Sequence, residues 1–223
     1  MNRKVKGILD RSRAAGWVIE PLAKELLQSY RLQTTRFVWA RSEGEAKKGG
    51  EAVGYPVVAK IVSADVVHKS DVDGIRIGLG SAEELIDAYR SMSGLKGFDG
   101  ILIDEMVVGT ELIIGAKNDL QFGPVVLIGI GGTSVEIYRD VAIRMAPMSA
   151  ETALEAVTSL QGAGLLQGYR GRESVNLQAL SELIVPFSEM VYELSEVVES
   201  IDLNPVMANS SRAVIADARI ILS

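Results

Sequence analysis

The chain contains no cysteine. Disulfide bonds, thiolate catalysis and cysteine-ligated zinc are therefore excluded, and the compartment is left open by that fact. It also has no block of lysine or arginine, and 23 basic against 29 acidic residues leave a net charge of −6. Nucleic acid and anionic membranes are poor partners for such a chain. Long apolar runs are missing, each broken by glycine, proline or charge well short of a membrane span. The opening segment from Met1 to Asp10 has too few consecutive apolar residues for a signal peptide. A soluble, cytoplasmic protein is the expectation. What is present is material for a full core. Apolar residues make up 48% of 223 positions, enough for one sizeable domain or two lobes sharing a cleft.

The pattern along the chain falls into two clusters. Pro21 sits at the tolerated first position of a helix whose Leu22, Leu26, Leu27 and Tyr30 share a face. Phe37–Ala40 reads as a strand. Ser42 with Glu45, and Ser81 with Glu84, have capping-box spacing and open two more helices, the first ending at Gly54. Strands are expected at 56–62, 75–79 and 101–107. From Glu111 the character changes to consecutive strands, 111–117, 124–130, 134–138 and 141–146, in an antiparallel pattern. A helix over 150–160 and a glycine-rich loop, Gln161–Gly171, come next. A long helix starts near Asn176, and Pro186 should kink it. Two last strands, 197–203 and 213–221, flank a turn at 209–212. The class is α+β, with two lobes and a cleft between them.

Two residues suggest phosphoryl chemistry. Lys60 lies in the apolar run Tyr-Pro-Val-Val-Ala-Lys-Ile-Val-Ser, and a strand-borne ammonium is a fixed cation suited to phosphate. A lysine paired with a buried carboxylate, or snorkelling at a strand end, fits the pattern equally well. His68, the only histidine, follows in a polar loop with Lys69, Ser70 and Asp71 beside it and Gly74 at its end. That setting suits a nucleophile that accepts a phosphoryl group, although an isolated histidine is more often an ordinary surface residue.

Gly129, Gly131 and Gly132 form a turn after an apolar strand, and bare amides there can cradle phosphate, or simply close a hairpin. It is neither a Walker A nor a dinucleotide fingerprint. Asn204, in Asp202-Leu-Asn-Pro205, and Asp217 on the next strand can stand side by side as oxygen ligands for magnesium. Asn-Pro is equally an ordinary turn pair. Glu105 and Glu136 are further candidates or solvated strand carboxylates. Arg144 would meet a transferred phosphoryl group or face water.

Taken in order, four segments resemble one family. They are YPVVAKIVSADVVHKSDVDGI, DEMVVGTELIIGAKNDLQFGP, GIGGTSVEIYRDVAIRMAP and ESIDLNPVMANSSRAVIADARI, spanning residues 55–220. The chain resembles the ATP-grasp, or beta, subunit of the nucleoside-diphosphate-forming acyl-CoA synthetases, such as ADP-forming acetate–CoA ligase. The resemblance implies an ATP-grasp fold, a lid over residues 30–104 and a core of 1–29 with 105–223, and ATP or ADP with Mg2+ between them. It implies Lys60 on the nucleotide phosphates, His68 as the phosphorylated residue, and Glu105, Met106 and Val107 as the strand that receives adenine. It puts Gly131 and Gly132 under the phosphates, Glu136 and Arg144 facing them, Asn204 and Asp217 on the metal, and Glu111 in the same cleft.

CoA and the organic acid would belong to a separate alpha subunit in a hetero-oligomer. The alternatives are a nucleotide-sensing regulatory module and a carboxylate–amine ligase of the same fold. A succinyl-CoA synthetase beta subunit is a third. The loop departs from the family at Asp73, where the first of two paired glycines is usual; this adds negative charge and stiffens the loop. Thr133, Ser134 and Pro186 are smaller departures.

Overall fold

A computed structural model of the chain describes every residue except 67, 133–139 and 169–172. The expected strand at 134–138, and with it Glu136, lies outside the described residues. The chain begins with α1 (Arg3–Ser12), capped by the Asn2 side chain on the Val5 amide, then β1 (Trp17–Val18) and α2 (Glu20–Ser29). Pro21 stands in the first turn of α2, where a missing N–H costs nothing, and Leu26 and Leu27 are fully buried.

Residues 35–107 form the smaller of two compact units. Its sheet runs β2 (Phe37–Ala40), β5 (Phe98–Glu105), β3 (Val57–Ser63), β4 (Ile75–Leu79), antiparallel throughout. Helices α3 (Glu43–Val53) and α4 (Ala82–Ser93) pack against it. Both helices start as their sequences dictate: Ser42 and Ser81 accept from the Glu45 and Glu84 amides. The two glutamates reach back one residue further than the capping box requires, to the Arg41 and Gly80 amides.

The larger unit joins residues 1–34 to 108–223. It holds β6 (Thr110–Asp119), β7 (Gly123–Ile130), β8 (Val141–Met145), α5 (Ala150–Thr158), α6 (Leu177–Leu194), β9 (Val198–Ala208), β10 (Ala213–Ile215) and β11 (Arg219–Leu222). The sheet order is β1-β11-β9-β6-β7-β8, and β10 also pairs with β9. One face is covered. Leu112, Ile114, Val126, Ile128, Leu203 and Val206 meet Leu180, Ile184, Phe187 and Leu194 of α6 in one core. Each such side chain contributes about 1.5–3 kcal/mol by its removal from water. Pro186 lies inside α6, which runs on to Leu194. Beside it, buried Ser188 donates to the Val185 carbonyl and accepts from the Met148 amide.

The C-terminal strands differ from the expectation in two ways. Asp202–Pro205 does not end a strand, because β9 continues to Ala208. The segment 213–221 is broken into β10 and β11 rather than continuous. Pro205 has no N–H to give the ladder, and its carbonyl accepts from both Ala216 and Asp217. The register nevertheless holds across the break: Ile215 is opposite Val206 and Arg219 is opposite Asp202.

Candidate functional site

That register decides where the C-terminal pair stands. Counting inward from both sides of the break brings Asn204 directly across from Asp217. On the other side, Leu112 pairs with Val206 and Ile114 with Leu203, so Asn204 and Pro205 together oppose Ile113 in a bulge. Leu203 and Val206 point into the core; alternation after Leu203 turns exposed Asn204 to the uncovered face, and the bulge absorbs Pro205. Glu111 projects from β6 to that same face, beside Met207. An amide oxygen and a carboxylate at one rung fit magnesium, which takes one or two protein oxygens and leaves its other positions to phosphate and water. Among the described residues no cluster of three or more acidic or histidine side chains forms a metal cage.

At the Ala208 end of the open face lies a cavity of about 620 Å3, lined by Thr110, Glu111, Gly131, Gly132, Glu173 and Asn209 among others. The glycine turn is one wall. The Gly131 amide donates to the Glu111 carbonyl, and a Cβ there would fall 3.0 Å from that residue's backbone. Gly132 has φ 84°, which favours glycine. Asn209 Oδ1 accepts from the Ser211 and Arg212 amides, while its Nδ2 donates to the Val108 carbonyl. Ser210 donates to Glu173 at 2.6 Å. Sequence reasoning saw Asn209 only as a turn residue and missed Glu173. The Asn-Ser-Ser-Arg string was a readable Asx-turn signal for the first, while Glu173 carried none.

Arg144 is not brought to this face. It stands opposite Val126, a core residue, and its guanidinium is 4.0 Å from Glu155 of α5. The expectation that it faces the phosphates is therefore at odds with its place on the helix-covered side of the sheet.

The smaller unit carries the remaining residues. Lys60 is buried in β3 with Nζ 2.8 Å from Asp104 Oδ2, and Thr35 donates to the other carboxylate oxygen. This is the pairing with a buried carboxylate that the sequence left open. Glu105 ends β5, 8% exposed, with its carboxylate held by Arg36 and its amide donated to the Arg36 carbonyl. Met106, next along, is 40% exposed. His68 is exposed at the start of a 3-10 turn, Lys69–Val72, that ends at Asp73. Asp73 has φ 57° and ψ 32°, so it occupies the left-handed conformation that a glycine would otherwise supply. Its added charge is matched: Arg76 grips it with two guanidinium nitrogens and holds its carboxyl below the usual carboxylate range.

Two antiparallel sheets backed by helices, one in each compact unit, are the architecture of the ATP-grasp class. The ATP-grasp domain family matches residues 10–222. The chain is 40% identical to the beta subunit of ADP-forming acetate–CoA ligase I of Pyrococcus furiosus, over 98% of both chains. It is 35% identical to the longer acetate–CoA ligase I of Archaeoglobus fulgidus, spanning 31% of that protein. Acetyl-coenzyme A synthetase 1 of Candidatus Korarchaeum cryptofilum, solved with coenzyme A and Ca-AMPCP, superposes with a TM-score of 0.92 at 38% identity, covering 98% of this chain and 99% of that one. A second structure of that synthetase holds Mg-AMPPCP, with its phosphohistidine segment toward the nucleotide site. It gives a TM-score of 0.86 at 35% identity, covering 98% of this chain and 100% of that one. The chain belongs to the ATP-grasp beta-subunit family of the ADP-forming acetate–CoA ligases. Among the described residues no helix is long and apolar enough to cross a membrane.

Proposed function

We propose that the chain is the ATP-grasp subunit of a cytoplasmic ADP-forming acid–CoA ligase, catalysing acid + CoA + ATP ⇌ acyl-CoA + ADP + phosphate. A separate alpha subunit binds CoA and the acid. This chain exchanges phosphoryl between ATP and His68. One observation carries the reading. The sole histidine is exposed on the β3–β4 loop of a chain 35% identical to a synthetase solved with a phosphohistidine segment. A carboxylate–amine ligase has no use for such a loop. Asp73, the loop's departure from the family, takes a left-handed backbone conformation and has its charge matched by Arg76.

The nucleoside end of ATP occupies the cavity of the larger unit lined by Glu111 and Gly132. Glu105, Met106 and Val107 of the smaller unit are the candidates to receive adenine. Gly132 keeps bare backbone at the wall of that cavity, while the Gly131 amide is already given to the Glu111 carbonyl. Asn204 and Asp217 hold magnesium, which supplies positive charge to the phosphates when bound. Glu136 is a further candidate ligand. Lys60, fixed by Asp104, adds a second cation. The test is assay of the purified chain alone: it binds Mg-ATP and makes no acyl-CoA, and acyl-CoA made without a partner would refute the division of labour.

A further inference from the structure

Phosphoryl transfer of this kind needs cations on the group that moves, because negative charge spreads over its three peripheral oxygens. Arg144 is on the wrong side of the large sheet to serve. The open face carries another arginine. Arg219 starts β11 opposite Asp202 of β9, and a guanidinium nitrogen is 3.4 Å from the carboxylate. The next pair, Ile220 and Ile201, is buried in the core, so Arg219 and Asp202 project to the uncovered face.

The order of groups along β9 gives that face a polarity. Ala208 and Asn209 border the cavity, Met207 lies beside Glu111, Asn204 faces Asp217, and Asp202 faces Arg219. Two residues along a strand cover about 7 Å. A nucleotide with its nucleoside in the cavity and its phosphates at Asn204 and Asp217 therefore carries its terminal phosphoryl group toward Arg219.

We propose that Arg219 is a further catalytic residue, its guanidinium bonding oxygens of the phosphoryl group in flight. This rests on the phosphohistidine reading above. In transfer from ATP, a ring nitrogen of His68 gives its lone pair to the γ-phosphorus. The bond from that phosphorus to the bridging oxygen breaks, and ADP leaves with the electron pair. The ring's proton stays on its other nitrogen. Arg219 exchanges no proton, since a guanidinium stays charged. It is a planar fork matched to phosphoryl oxygens, which a lysine is not.

The experiment compares wild type, Arg219→Gln and Arg219→Lys, with and without the partner subunit. Acid-labile labelling from γ-labelled Mg-ATP and the Kd for Mg-ADP are measured for each. Labelling by Arg219→Gln should slow by about 10²-fold, the usual scale for one lost transition-state donor. Its Mg-ADP affinity should stay within about threefold of wild type, since ADP lacks the group that Arg219 holds. Arg219→Lys should fall between the two, and added guanidinium should restore part of the Arg219→Gln rate. Unchanged labelling in Arg219→Gln, an equal loss of Mg-ADP affinity, or no rescue would overturn the assignment. Absence of label in wild type, even with the partner, would instead remove the phosphohistidine reading, and Arg219 with it.

Discussion

Lys60 and Asp104 form an ion pair at 2.8 Å with both side chains buried, and Thr35 occupies the carboxylate's second oxygen. Removing one partner strands a charge in the sheet of the smaller unit. Asp104→Ala should cost about 3–5 kcal/mol in urea unfolding, whereas Lys60→Met with Asp104→Leu should cost far less. Lys60→Ala should impair nucleotide binding and phosphoryl transfer together, as expected of a cation used in the ground state as well as in transfer. A double variant as unstable as Asp104→Ala would show that the pair itself holds the unit together.

Arg76 depresses the Asp73 carboxyl, mainly by hydrogen bonding to it. A lowered folded-state pKa means that the pair stabilises the loop above the ordinary aspartate pKa. That contribution is lost as pH falls through the lowered value. In Arg76→Gln the Asp73 titration, followed by NMR, should return upward to the usual carboxylate range. The same variant should label His68 more slowly, since an unmatched carboxylate then sits five residues from the phosphoryl acceptor. Asp73→Gly should label at least as fast as wild type.

Asn204 is exposed, so Asn204→Ala should change stability by no more than about 0.5 kcal/mol. Titration of Mg-ADP against Asn204→Ala and Asp217→Ala should show weakened, magnesium-dependent binding in both. Unchanged magnesium dependence in both would make the rung at the Pro205 break a structural turn.

Gly131 has backbone, not a flexible side chain, in the path of any added Cβ. Gly131→Ala should therefore shift the end of β7 away from Glu111 and cost about 1–3 kcal/mol. Isothermal titration should show a loss of nucleotide affinity larger than that of Gly164→Ala, where an added Cβ meets nothing within 4 Å.

How much could be read from the chain depended on the range of the cause. Ser42 and Ser81 cap their helices through bonds only three residues long, and both were legible. The short turn after β9 was legible too, and with it the register that brings Asp217 level with Asn204, although Asp217 lies in the break between β10 and β11 and not on a strand. Arg144 was not, because its face follows from its pairing with Val126, and a shift of one residue would reverse it. The split of β10 from β11 was missed for a related reason. Pro205 removes a ladder donor from the neighbouring strand, and nothing in residues 213–221 records that. Glu173 reaches the cavity through the loop after α5, where no periodicity acts.

The claim that His68 carries the phosphoryl group is tested most directly by isotope. Wild type, incubated with γ-labelled Mg-ATP with and without its partner, should acquire one acid-labile, base-stable label per chain. His68→Ala should acquire none while still binding Mg-ADP. The chain has no other histidine, so acid-labile label persisting in His68→Ala would contradict the account.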